Sequence, residues 1–273
     1  MLSKRVMRLH ESGTVKLALL VKQLRSEGKD VVDFATGEPD FPTPKLIVQA
    51  TMRALKEGKT KYDAVSGVRE LKSALCEKLK RENKIECCEE NIIITNGSKQ
   101  GLFMSMVTLC DEGDEVIMPR PLWMTYREQV KFAGAKPVVV NTRDNFELDV
   151  DAIRKAVTKK TKAIIINTPN NPSGAVFDRK SLEEVAELAL ENEIFIISDE
   201  VYEKFVYDGL KHYSIASFSD EIRDLTITVN SFSKSYCMTG FRVGYVVASE
   251  EIIARMTELQ SNLTTNVCTF AQY

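Results

Sequence analysis

Lys234 lies in the stretch Ser231-Phe-Ser-Lys-Ser-Tyr-Cys-Met-Thr-Gly-Phe-Arg242, boxed by hydroxyls and followed eight positions later by an arginine. A lysine acts as a nucleophile only where its surroundings lower its pKa, and this setting suits an imine-forming amine beside a phosphate. That combination is what pyridoxal phosphate requires, its aldehyde meeting Lys234 and its phosphate meeting Ser231, Ser233 and Arg242. Any single one of the 37 Lys and Arg residues is better explained as a solvated cation, so other segments have to decide.

Three further segments carry pointed chemistry, each directly after a short apolar run. Asn96-Gly97-Ser98-Lys99-Gln100-Gly101 is a glycine turn feeding a helix, whose free backbone N–H groups and positive dipole end suit a phosphate. Thr168-Pro-Asn-Asn-Pro-Ser-Gly174 suits either a plain turn or a stiff loop presenting amides, with Asn171 donating to a phenolate oxygen. Asp199-Glu200-Val-Tyr202 places a carboxylate at a buried strand end, which is costly unless a cation meets it; a protonated pyridine nitrogen is such a cation. Tyr202, a helical turn further on, points the same way and reaches the ring oxygen.

These segments must be brought together by the elements that precede them. Ile92–Thr95, Glu115–Met118, Lys136–Val140, Lys162–Asn167, Ile194–Ser198, Leu225–Val229 and Arg242–Val247 are rich in β-branched residues and alternate with helical patterns. Runs apolar at nearly every position predict strands covered on both faces, hence an α/β fold with a mostly parallel sheet sandwiched by helices. In such sheets ligands bind at the carboxyl ends of the strands, where these segments fall.

Helix punctuation agrees. Thr43-Pro44 predicts an N-cap with proline at the first helical position, and Gly58 closes that helix. A second helix is predicted from near Ser66 through Leu79, a third capped by Asp178, and a last one opened by Ser249 with Glu250 and Glu251 in its first turn. A helix around Val15–Glu27 and the turn-rich Thr36–Pro42 are expected to lie outside the main sheet. The expected division is an N-terminal arm or small-domain segment, 1–43, and a large cofactor-binding domain, 44–273.

A chain of 273 residues supports a large core without staples. Its net charge of −2, with both signs interspersed, points away from nucleic acid and from polybasic membrane contact, and toward small polar substrates. Six cysteines without a C-x-x-C pair and only two histidines predict no metal site and reduced thiols, as in cytoplasm. No apolar run is of membrane-spanning length, and the N-terminal stretch is charged where a signal segment would be apolar.

From about Val15 to Tyr273 the chain resembles the fold-type I, class I/II aminotransferases, in their aspartate aminotransferase-like subgroup. The resemblance rests on Gly37-Glu-Pro-Asp-Phe-Pro42, Lys61-Tyr62, Asn96-Gly-Ser-Lys-Gln100, Pro121-Leu-Trp123, Pro169-Asn-Asn-Pro-Ser-Gly174, Ser198-Asp-Glu-Val-Tyr202, and Ser231-Phe-Ser-Lys234 with Gly240-Phe-Arg-Val-Gly244. It implies Lys234 as the Schiff-base lysine, Asp199 on the pyridine nitrogen, and Asn171 and Tyr202 on the ring oxygen. Gly97, Ser98, Lys99, Ser231, Ser233 and Arg242 match the phosphate site, Trp123 a stacking ring, and Gly37, Trp123 and Asn171 substrate-facing positions. Tyr62 matches a tyrosine that reaches the neighbouring subunit's phosphate, which implies a homodimer with shared sites.

The implied reaction is transamination between an amino acid, aspartate-like or aromatic, and a 2-oxo acid such as 2-oxoglutarate, in amino-acid biosynthesis. Lys99 favours dicarboxylic substrates by the same resemblance. Family members continue past the position of Tyr273 into a small domain bearing an arginine for the substrate α-carboxylate. The present chain, lacking that part, is expected to bind the cofactor weakly by itself. A carbon–sulfur β-lyase using the same Lys234 and Asp199, and a non-catalytic cofactor-binding remnant, are the two rival readings.

Overall fold

A computed structural model describes residues 4–7, 13–33 and 37–273. Thr36, the first residue of the expected turn-rich stretch, lies outside these described residues. Four helices come first: α1 (Lys4–Met7), α2 (Gly13–Ser26), α3 (Lys45–Lys56) and α4 (Arg69–Lys78), the last running on into a π-helical turn, Leu79–Asn83. Strand β1 (Ile92–Thr95) then opens an alternation: α5 (Gly97–Leu109), β2 (Glu115–Arg120), α6 (Thr125–Phe132), β3 (Lys136–Asn141), α7 (Val150–Ala156), β4 (Thr161–Asn167), α8 (Arg179–Asn192), β5 (Phe195–Asp199), α9 (Asp220–Leu225) and β6 (Thr226–Ser231). The chain closes with α10 (Phe232–Ser235), β7 (Gly244–Val247) and α11 (Glu250–Leu263).

The strands form one sheet in the order β1-β7-β6-β5-β4-β2-β3. β2, β3, β4, β5 and β6 pair in parallel, whereas β7 is antiparallel to both β6 and β1. All residues of β1, β6 and β7 are buried, as helices on both faces require. One face packs Ile93, Ile197, Ile227, Val229 and Val246 against α5, α6 and α11; the other packs Ile164, Ile166 and Ile196 against α7 and α8. No helix among the described residues is long and apolar enough to cross a membrane.

The reversal of β7 matters for the site. Gly244, its first residue, is in register with Thr95 of β1 and with Ser231 of β6. The start of β7, with Arg242 just before it, therefore reaches the same sheet edge as the exits of β1, β5 and β6. A Cβ on Gly244 would lie 2.6 Å from the Ser98 nitrogen, so this close approach needs glycine.

Two helix starts differ from expectation. Pro44 is the cap residue of α3 and not its first helical residue, and no side chain caps the helix. The Thr43 hydroxyl instead donates to the Cys237 carbonyl at 2.5 Å, a bond across 194 positions that ties the approach to α3 to the loop after Lys234. The second helix begins at Arg69, after Val68, and the Ser66 carbonyl accepts from the Ile94 amide. Asp178 caps α8 as expected, accepting from the Ser181 amide at 3.0 Å.

Candidate active site

A cleft of about 310 Å³ opens at the carboxyl edge of the sheet, lined among others by Ser98, Lys99, Trp123, Asn171, Asp199, Tyr202, Ser233, Lys234 and Arg242. Lys234 comes from α10, a single turn whose cap is the Ser231 side chain, accepting from the Ser233 amide at 3.0 Å. The Ser231 hydroxyl also reaches Ser233 Oγ at 2.8 Å and the Val243 carbonyl at 3.2 Å. Ser231 thus holds the turn that aims Lys234, while Ser233 faces the cleft. Lys234 Nζ donates to the Gly37 carbonyl, which brings the N-terminal segment over the site.

Burial pushes the Lys234 ammonium below the usual lysine range; Glu38 opposes that shift and Arg242 adds to it. Lys99 is lowered in the same way, first by burial and then by Arg242. Three cations, Lys99, Lys234 and Arg242, share this cleft, and among the described residues the only carboxylates lining it are Glu38 and Asp199. Glu38 is itself engaged by the Thr239 hydroxyl. Arg242 sits in the left-handed region at φ 58° and directs its guanidinium to the Thr239 carbonyl at 3.0 Å and the Asn96 carbonyl at 3.4 Å. Gly97, at φ 71°, makes room for it, because a Cβ there would lie 2.5 Å from Nη2 of Arg242.

Asp199 lines the same cleft and is 4% exposed. Burial raises its carboxyl to about 6, against hydrogen bonds that favour the ionised form: Tyr126 Oη donates to Oδ2 at 2.6 Å, and the Val201 amide to Oδ1 at 3.3 Å. Asn171 Nδ2 donates to Tyr202 Oη at 3.2 Å. Asn171 is positioned by Asn167, whose Oδ1 accepts its amide at 2.8 Å and whose Nδ2 donates to the Asp199 carbonyl at 3.0 Å. Lys99 Nζ lies 4.9 Å from the Trp123 ring centroid, and Trp123 meets Tyr126 edge-on at 5.5 Å.

The cleft therefore gathers Ser98, Lys99, Trp123, Asn171, Asp199, Tyr202, Ser233, Lys234, Arg242 and Gly37. Gly97 and Ser231 lie beneath it as supports, and Tyr62, 88% exposed, stands apart from it. Sequence reasoning missed Tyr126 and Asn167, and also Glu38, Val201 and Thr239, which line the cleft. Nothing local marks Tyr126, since a tyrosine three positions after a tryptophan also suits a core helix; Asn167, the polar residue that ends the apolar run of β4, was a faint signal.

The donor set suits pyridoxal phosphate. A cradle of cations, hydroxyls and the α5 N-terminus matches a dianionic phosphate, the space over Gly97 is kept free of a Cβ, and a buried carboxylate that pairs with no cation among the described residues matches a protonated ring nitrogen. Below the sheet a second polar group gathers Glu200, Glu203 and His212 within 4.8 Å, but the Lys78 ammonium already occupies the cation position against Glu203.

Comparison with known proteins agrees with this chemistry. The family model for aminotransferase class I and II matches residues 29–273. A protein of Aquifex aeolicus named as a probable aspartate/prephenate aminotransferase is 48% identical over 274 residues, and the aspartate aminotransferase of Bacillus subtilis 44%; each match covers 100% of this chain and 70% of the relative. The solved structure of Thermus thermophilus aspartate aminotransferase with maleate superposes with a TM-score of 0.96 at 42% identity, over 100% of this chain and 71% of that one. Sequence, fold and the chemistry of the cleft agree, and the chain belongs to the class I and II aminotransferases, enzymes that work with pyridoxal phosphate.

Proposed function

We propose that the cleft holds pyridoxal phosphate with its phosphate against Ser98, Lys99, Ser233, Arg242 and the α5 N-terminus, and its ring nitrogen at Asp199. Asn171 and Tyr202 take the ring oxygen, Trp123 covers the ring, and Ser231 acts by holding the turn of Lys234. When bound, the cofactor supplies an aldehyde for the substrate amine and a ring that accepts the electrons released as the Cα–H bond breaks. Lys234 carries the proton, removing it from the substrate Cα and returning it on the other side of the transfer. Its lowered pKa supports this role, since a neutral amine is the competent base. Asp199, ionised, keeps a positive charge at the ring nitrogen. The observation that carries this reading is the convergence of three cations in one cleft with a buried carboxylate that, among the described residues, pairs with no cation.

The proposed reaction moves an amino group from a dicarboxylic amino acid such as aspartate to a 2-oxo acid such as 2-oxoglutarate. Lys99 supports the dicarboxylic class: its ammonium lies at the cleft wall, over the Trp123 ring, and adds a positive charge that a second carboxylate can meet. The names of the relatives, aspartate and aspartate/prephenate aminotransferases, and the maleate in the solved Thermus structure point the same way. A homodimer in the cytoplasm goes with this reading. Tyr62, almost fully exposed, and the exposed Leu46, Val48, Met52 and Leu55 of α3 support an interface, and all six cysteines are free thiols.

Borohydride reduction of the cofactor-loaded protein, followed by peptide mapping, tests the assignment. The pyridoxyl group is expected on the peptide containing Lys234; a different labelled lysine would refute it. A panel of amino donors with 2-oxoglutarate then ranks substrates, and release of pyruvate and ammonia from cystathionine without an oxo acid would favour β-lyase chemistry instead.

A further inference from the structure

The geometry points to Tyr126 as a positioning residue that keeps the Asp199 carboxylate ionised and aimed at the cofactor's ring nitrogen. This role rests on the cofactor site proposed above and assigns a residue outside that set.

Tyr126 lies in the first turn of α6 and is 2% exposed. Its hydroxyl donates to Asp199 Oδ2 at 2.6 Å, within the range of charge-assisted O–H···O⁻ bonds. The ring is fixed on its other side by Trp123, edge-on at 5.5 Å, so the hydroxyl cannot swing away without disturbing the cleft wall. The remaining partner of the carboxylate is the Val201 amide, at 3.3 Å on the other oxygen.

The titratable groups around Asp199 are few. Glu200 and Tyr202 come from its own turn and Tyr126 from α6, while Lys99 from α5, Lys234 from α10, Arg242 and Glu38 line the same cleft. Burial is the largest influence on Asp199 and favours the neutral acid, and Glu200 pushes in the same direction. The Tyr126 bond is the stronger of the two hydrogen bonds that resist protonation. A phenol with a pKa raised well above its ordinary value by burial and by Asp199 does not surrender its proton, and so remains a donor throughout the working range. Removing this bond moves the carboxyl further up, so that at neutral pH part of the population carries a neutral acid that cannot hold a positive ring nitrogen.

Tyr126→Phe deletes one atom in a packed site and tests this directly. In the cofactor-free protein, infrared titration of the buried carboxyl band, assigned by its loss in Asp199→Asn, is expected to place the Asp199 midpoint about one pH unit higher in the variant. Binding of pyridoxal phosphate, followed by the fluorescence of Trp123, the only tryptophan, is expected to weaken roughly tenfold at neutral pH, with the defect shrinking as pH rises past the new midpoint. Incorporation of fluorotyrosine at 126, a stronger donor of the same shape, is expected to move the midpoint the opposite way. An unchanged midpoint, or a binding defect independent of pH, would overturn the role of Tyr126 and leave the cofactor site standing. A shifted midpoint combined with wild-type cofactor binding by Asp199→Asn would show that Asp199 does not serve the cofactor, and both assignments would fall together.

Discussion

Asp199 and Glu200 are consecutive, both sealed from solvent, and turned to opposite faces of the sheet, yet their carboxyls are shifted in opposite directions. Burial acts on both in the same sense. In Asp199 it prevails, lifting the group to about 6, because the carboxylate has only Tyr126 and one amide to hold its charge. In Glu200 burial is outweighed: His212 Nε2 at 3.0 Å, Ser214 Oγ at 2.6 Å and Ser198 Oγ at 3.0 Å bring the carboxyl below its usual range. Asn83 Nδ2 adds a bond at 3.2 Å and links Glu200 to Glu203, which pairs with Lys78. The carboxylate of Glu200 meets a histidine and several neutral donors, whereas that of Asp199 meets one phenol and one amide. Functional sites are where such incomplete balance is expected.

Severing each side is expected to separate the two regions most sharply. Lys234→Ala should lower transamination by roughly 10⁴-fold, as loss of a general acid–base group does, with little change in the stability of the cofactor-free protein. Lys78→Met should instead unpair the Glu203 carboxylate and lower stability by about 3–5 kcal/mol, measured by urea denaturation. Adding Glu203→Gln should recover part of that loss, because the orphaned charge is removed. Equal stability losses from the two lysine variants would dissolve the distinction.

A smaller effect concerns pH. Asp199 is raised from an ordinary 3.8 to about 6, so between these values the folded chain binds a proton that the unfolded chain has lost, and this group's contribution to stability falls as pH rises through that window. Asp199→Asn should therefore stabilise the cofactor-free protein by about 2–3 kcal/mol at pH 7–8, with the gain vanishing near pH 4. Glu200, being lowered, contributes stability that is present above its unfolded value of 4.5 and lost as pH falls. Glu200→Gln should thus destabilise at pH 7 and do so less in acid. Thermal melts across pH check both slopes, and parallel slopes would mean that one carboxylate has been misjudged.

The smallest expected effect is at Gly97. An alanine there meets Nη2 of Arg242 and must adopt a left-handed backbone, costing ~1–2 kcal/mol. Displacement of the guanidinium should also weaken binding of pyridoxal phosphate about tenfold. Calorimetric titration of Gly97→Ala checks this, and unaltered affinity would remove Arg242 from the phosphate site.

Much of this was legible in the chain itself. The apolar runs marked all seven strands to within a few residues, since a strand covered on both faces must be apolar at nearly every position, and that constraint is local. Asp199, Asn171 and Lys234 stood out for the same reason: a charge, an amide or a hydroxyl-boxed amine directly after such a run is conspicuous wherever the chain goes next. Tertiary structure alone decided the rest. It ran β7 antiparallel, so that Arg242 reaches the cleft from the start of a strand and not from its exit. It spent the Ser231 hydroxyl on capping α10, the Thr43 hydroxyl on the Cys237 carbonyl, and the Tyr126 hydroxyl on a carboxylate 73 positions away. It also set Lys78 and Asn83 against Glu203 across more than a hundred residues. Local pattern can say which face of an element is buried, but the partner of a buried polar atom is chosen by packing between elements distant in sequence, and at this site those partners set the charges.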